Sequence, residues 1–293
     1  MIINYKEVDS FEVVAEDACQ EITAHKYLSN YVLAYQITKE NLFKNKLLDV
    51  EQEAKNWALE ERPNHHFFSH GEYRVGGLNY IADELKRKPT SNRALYSLIN
   101  QTDITDSGDK PIPSFMVFQC LLDEDNKDLF VTVYFRALEI STFLRVNLEE
   151  IRQNLVHIYE QSISFERVKL LLIAGRAHHS PGQLPLKRPE IDVLTPYQLI
   201  RKLQDSPSEL RDLIVEKAQT QSVICYESLE IIKEFLEEEG KMPLMINEVK
   251  KSIELSQELE RYRKEGSHST RIMEATEALK ETLLALAERF LDE

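Results

Sequence analysis

Cysteine, glycine and positive charge are all in short supply in this 293-residue chain. Its three cysteines, Cys19, Cys120 and Cys225, are odd in number and scattered, and no Cys-x-x-Cys occurs. Neither a disulfide framework nor a thiolate zinc site is indicated, and a reducing cytoplasm is the simple expectation. Lysine and arginine together number 36 against 50 acidic residues, a net charge of −14. That balance argues against a surface that wraps nucleic acid. It does not exclude a free nucleotide, which one or two arginines can hold. The N-terminal MIINYKEVDSFEVV lacks the basic start and apolar run of a signal peptide, and no apolar stretch approaches a membrane span. Neither a nucleic-acid nor a membrane partner is expected. With 8 glycines, no low-complexity linker divides the chain.

What is present is a mixture of strand and helix signals followed by helix alone. Leu78, Ile81 and Leu85 fall at helical spacing and stop before Pro89. ALYSLIN (94–100) reads as a strand, and 101–113 as a polar loop. FMVFQCLL (115–122) and LFVTVYFR (129–136) read as a β-hairpin around DEDNKD. Both runs are apolar on two faces, which predicts a sheet covered on both sides. Asn147 is expected to begin a helix whose buried stripe is Leu148, Ile151, Leu155 and Ile158, and ERVKLLLIAG (166–175) a buried strand. Beyond about residue 190 strand signals vanish. Thr195-Pro196-Tyr197-Gln198 and Ser206-Pro207-Ser208-Glu209 each fit a helix start with a capping box. Stripes at Leu229–Leu236, stopping at Gly240, and at Ile272–Phe290 follow; the charged 244–264 between them reads as a solvated helical face. The expected organisation is α+β, with an α/β domain over 1–189 and a helical extension over 190–293.

The segment 113–147, PSFMVFQCLLDEDNKDLFVTVYFRALEISTFLRVN, resembles the central nucleotide-binding segment of thymidylate synthases. The likeness runs from about Leu78 to His178, roughly a third of the chain. A helix leads to TSNRALYSL, where the family has paired arginines that reach a nucleotide phosphate across a dimer; here only Arg93 fits. The family's strand-end Arg and the acid three residues on correspond to Arg136 and Glu139. Its pyrimidine-reading asparagine, eleven residues past the arginine, corresponds to Asn147. The strand leading to a histidine is IAGRAHHS, with His178 in place, but Ser180 stands where the family has tyrosine. The nucleophilic cysteine after proline is Ser114, and the next histidine is Phe115. The resemblance implies a thymidylate synthase-like mixed sheet, a homodimer formed through the sheets, and a pyrimidine nucleotide at Arg136, Asn147, Arg93, Glu139 and His178.

Residue chemistry separates binding from catalysis. A guanidinium at the end of a buried strand needs a partner, either a phosphate or one of the fifty acidic residues. Asn147 offers donor and acceptor to a pyrimidine edge, or caps a helix with Glu150 as its capping-box partner. Glu139 either bonds a ligand or is an ordinary strand-end acid. Ser114 cannot replace a thiolate without a nearby base, and Cys120 lies about 20 Å along the strand. No catalytic residue is therefore assigned. HHFFSH invites a metal at His65, His66 and His70, but without a clear further ligand no metal is expected. The leading expectation is a catalytically degenerate, cytoplasmic nucleotide-binding protein acting as sensor, regulator or assembly subunit, with no cofactor. One alternative is an active pyrimidine C1 transferase of altered chemistry, the only case that calls for folate. The other is a dimeric scaffold whose residues 190–293 bind a protein partner.

Overall fold

A computed structural model describes residues 3–106, 111–181, 187–220, 224–240, 243–265 and 270–290. The chain divides into two compact units, the first drawn from within 1–185 and the second from 186–293 together with 64–67 and 107–111. The bridge between His66 and Lys187 and the bond from Arg188 N to His65 O, 2.8 Å, tie the early segment to the second unit. Among the described residues no helix is long and apolar enough to cross a membrane.

The first unit is α+β. In chain order it holds β1 (Lys6–Glu7), α1 (Phe11–Glu21), β2 (Tyr27–Thr38), α2 (Lys39–Lys44), α3 (Glu51–Ala58), α4 (His70–Tyr73) and α5 (Gly77–Arg87). It continues with β3 (Leu95–Ser97), α6 (Gln101–Asp106), β4 (Phe115–Asp123), β5 (Asp128–Glu139), α7 (Phe143–Glu160) and β6 (Arg167–His178). The sheet order is β1-β2-β6-β5-β4-β3. The hairpin β4–β5 and the buried strand β6 stand where the apolar runs place them. α7 carries the chain from β5 to β6, which pair in parallel with Asp128 opposite Arg167 and Glu139 opposite His178.

Four local expectations are corrected. The strand at 94–100 shrinks to β3, because the Ser97 hydroxyl turns to bond Ile99 O at 2.8 Å. The loop after it begins with helix α6, capped by reciprocal bonds between Asn100 and Asp103; residues 107–110 of that loop lie outside the described ones. α7 starts at Phe143, not at Asn147, because the capping group comes from the strand before it, as shown below. The sheet is not covered equally on its two faces. One face is fully buried by Tyr31, Leu33, Val131, Val133, Phe118, Leu170 and Leu172. The other is half open: Val32, Ile173, Tyr134 and Val117 form one row across four strands, with Val32 52% and Tyr134 36% exposed.

The second unit is helical: a 3-10 turn at Glu190–Asp192, then α8 (Pro196–Asp205), α9 (Pro207–Gln219), α10 (Glu227–Glu239), α11 (Pro243–Glu265) and α12 (Thr270–Arg289). It has its own core, in which Leu229, Ile232, Leu236, Leu279, Leu283 and Leu286 are buried as their spacing predicts. Thr195 forms a full capping box with Gln198. Ser206 does not cap with its side chain, since it also closes α8; Pro207 still opens α9. α10 ends at Gly240, whose φ of 64° only glycine adopts cheaply. The charged α11 is more than a solvated face: Met245, Val249, Ser252, Ile253, Ser256 and Leu259 form a buried seam along it. Small serines there bond their own helix carbonyls, so they enter the core without orphaned hydroxyls. The buried Asp192 takes both carboxylate bonds from Lys217, 2.7 and 2.6 Å, and one from the Ser228 hydroxyl. That ion pair ties the 3-10 turn to α9 and α10.

Candidate functional site

β5 and β6 run parallel and end together, and β4 starts at the same end of the sheet. Arg136 N donates to Ser114 O at 2.8 Å, Glu139 faces His178 in register, and Phe115 opens β4. Ser114, Arg136, Glu139 and His178 therefore collect at one end of the sheet, where α7 begins and where Asn147 sits in its second turn. Arg93 does not join them. It is exposed in the turn before β3, beside Asn92, whose carbonyl accepts from Gln119 Nε2 at 3.0 Å. Gln119 is five strand residues from Ser114, about 17 Å along β4.

Glu139 is fully used by its own chain. Its carboxylate accepts from Ser141 N at 2.8 Å, Thr142 N at 2.8 Å, Phe143 N at 3.1 Å and Ser180 N at 3.2 Å, and from the Ser141 hydroxyl. It satisfies the orphan N–H groups that open α7 and sits at the positive end of the helix dipole. Burial opposes its ionisation, but these donors outweigh burial and hold the carboxyl below its usual range. The structure thus gives Glu139 a capping role, with Ser180 bonded through its backbone. It also removes the capping role from Asn147.

The opposite holds for Arg136 and Asn147. The Arg136 guanidinium is exposed on the half-open face and makes no side-chain bond to the described residues. Asn147 is 7% exposed and its amide likewise bonds to none of them.

Glu150, expected as a capping-box partner, is instead the centre of a buried network. Its Oε2 lies 2.7 Å from His70 Nδ1 and its Oε1 3.4 Å from Arg74 Nη1. Arg74 also donates to Asn154 at 2.8 Å, and Asn154 to the Tyr96 hydroxyl at 3.3 Å. Burial opposes ionisation of Glu150, yet His70 and Arg74 keep its carboxyl below the usual range. The His70 ring is packed edge-on to Phe115 at 5.4 Å and against Trp57 at 5.0 Å. His70 starts α4, while His66 lies in an extended bridge, so the two do not share one helix. Gly71 makes this packing possible: a Cβ there would fall 2.1 Å from Leu59 O at the end of α3. Sequence reasoning missed His70, Arg74, Glu150 and Trp57 as parts of this region. The available signal was the spacing of Asn147, Glu150 and Asn154, polar residues at i, i+3 and i+7 on one face of the helix.

Burial pushes Cys120 far up, and burial with the nearby Glu139 charge raises Cys19, which donates to Ile140 O at 3.5 Å. The Ser114 hydroxyl bonds to no histidine or carboxylate among the described residues. A surface cleft of about 540 Å³ between Asp9–Glu12 and Lys44–Asp49 holds none of the residues singled out above. No protein-family model matches the chain, and no curated protein sequence matches it.

Proposed function

We propose that the first unit is a thymidylate synthase-like binding fold that holds a pyrimidine nucleotide, or a related phosphorylated ligand, without methyl transfer. One observation carries this reading: Ser114, Arg136, Glu139 and His178, selected from sequence, gather at the carboxyl ends of the parallel strands β5 and β6. Ligands of open α/β sheets bind at such ends. Arg136 supplies the charge for a phosphate and Asn147 an amide for a base edge. Catalysis is not part of the reading, since Ser114 has no base among the described residues and burial raises the Cys19 and Cys120 thiols. Calorimetry of the full chain with dUMP, dCMP and dTMP tests it. Binding that Arg136→Ala abolishes supports the proposal; a folded protein that binds none of the three overturns it.

The half-open sheet face favours a second element of the same reading, a homodimer. Its apolar row of Val32, Ile173, Tyr134 and Val117 is the kind of surface a second copy covers. Arg93, remote from Arg136 within one chain, would then reach the ligand of the partner. Sedimentation measures this directly: a monomer at all concentrations, or a dimer undisturbed by Val32→Asp, excludes that interface.

A further inference from the structure

The sheet is irregular on both sides of Arg136. Phe135 pairs with Ala174 and Ala137 with Arg176, so Arg136 is level with Gly175 of β6. Ser29 pairs with Arg176 and Tyr31 with Ala174, so Asn30 of β2 is level with the same glycine. Asn30 has a φ of 53°, in the left-handed region, in the middle of its strand. Outside glycine, asparagine is among the residues that adopt this most readily. On the far side of Arg136, β4 shifts register between Phe115 and Val117. Such irregularities re-aim side chains and gather at functional sites.

Gly175 is the floor between Asn30 and Arg136. A Cβ there would lie 3.2 Å from the Tyr134 hydroxyl and 3.0 Å from Arg136 O. Tyr134 belongs to the apolar row, but its hydroxyl reaches over the glycine. The neighbours of Asn30 and Arg136, Tyr31 and Phe135, are buried on the other face, which leaves both polar side chains on the half-open one. Strands lie about 4.8 Å apart, so the two residues flank Gly175 from about 10 Å apart, a gap that an arginine side chain and a bound anion span together. The guanidinium, the Asn30 amide and the Tyr134 hydroxyl bond to none of the described residues. No acidic residue stands in this row or in that of Tyr134. Three donors with no facing carboxylate suit an anion.

We propose that Asn30 and Tyr134 join Arg136 around Gly175 in one anion site on the half-open face, and that it takes a phosphomonoester. This rests on the phosphate role of Arg136 in the nucleotide reading above and adds two direct phosphate donors to it. The guanidinium supplies the charge; the hydroxyl and the amide fix where the phosphate oxygens lie.

Calorimetry of the full chain tests it, with inorganic phosphate and with whichever of dUMP, dCMP and dTMP binds most tightly. Tyr134→Phe keeps the ring and removes the hydroxyl. Asn30→Gly keeps the left-handed backbone and removes the amide. Each is expected to weaken both ligands at least about tenfold, the value of one hydrogen bond to a charged group. If both variants hold phosphate and nucleotide as tightly as the native protein, while Arg136→Ala abolishes nucleotide binding, the inference is overturned and the nucleotide reading stands. Phosphate bound through all three residues, with no nucleotide bound, supports the site and overturns the nucleotide reading. A folded native chain that binds neither overturns both. Should Asn30→Gly fail to fold, Tyr134→Phe decides alone, since it removes a single oxygen from a part-exposed ring.

Discussion

The two ends of the β5–β6 pair treat their polar groups in opposite ways. At the starting end, Asp128 is 2% exposed and receives Arg167 at 2.7 Å and Lys169 at 2.6 Å, both from β6. Burial works against that carboxylate, yet its two partners hold it below the usual range. At the finishing end, Glu139 and Glu150 are satisfied within the chain, while the Arg136 guanidinium is exposed and bonds to none of the described residues. Pairing that closes on itself locks a register, since a one-residue slip would strand Asp128.

Substitutions break or sharpen this contrast. The largest loss is expected for Gly71→Ala, which drives a methyl group into the backbone at Leu59; unfolding in urea should show more than about 5 kcal/mol lost, or no folded protein. Glu150→Ala strands His70 and Arg74 in the interior and is expected to cost about 3–5 kcal/mol by the same measurement. Asp128→Ala, at the closed end, should cost about 2 kcal/mol and leave nucleotide affinity unchanged. Equal losses of affinity from Asp128→Ala and Arg136→Ala would erase the distinction between the two ends.

Glu139→Gln tests the cap through pH. Because the folded carboxyl titrates below its ordinary range, its stabilisation is present above the unfolded pKa of about 4.3 and is lost as pH falls through the folded value. The variant should be about 1–2 kcal/mol less stable at pH 7, and the gap to the native protein should close as pH drops below about 4. Melting curves across pH 2–7 would reveal it; a gap constant with pH would remove the capping role. The smallest stability effect is expected for Arg136→Ala, within about 0.5 kcal/mol because nothing in the chain depends on it.

Much of this was legible beforehand, for reasons particular to each element. The hairpin β4–β5 and strand β6 announce themselves because fully buried strands need unbroken apolar runs. α8 was readable to its first residue because Thr195, Pro196 and Gln198 carry the cap within four positions. α7 was misplaced by four residues because its cap, Glu139, belongs to the preceding strand, and a local reading credits the nearer Asn147 instead. The seam of α11 was hidden because serines replace apolar residues at Ser252 and Ser256.

Sequence alone determined which segments become strands and helices, the change of texture near residue 190, and the candidates Arg136 and Asn147. These depend on spacing and composition along a short stretch of chain. Only the tertiary structure decided that Glu139 is spent on α7, that Arg93 stands apart, and that His70, Arg74 and Glu150 form one network with Trp57. Those partners lie 76 to 80 positions apart for Glu150. A side chain's role in a folded protein is set by which donors and acceptors remain after packing, and packing brings together residues that no local pattern links.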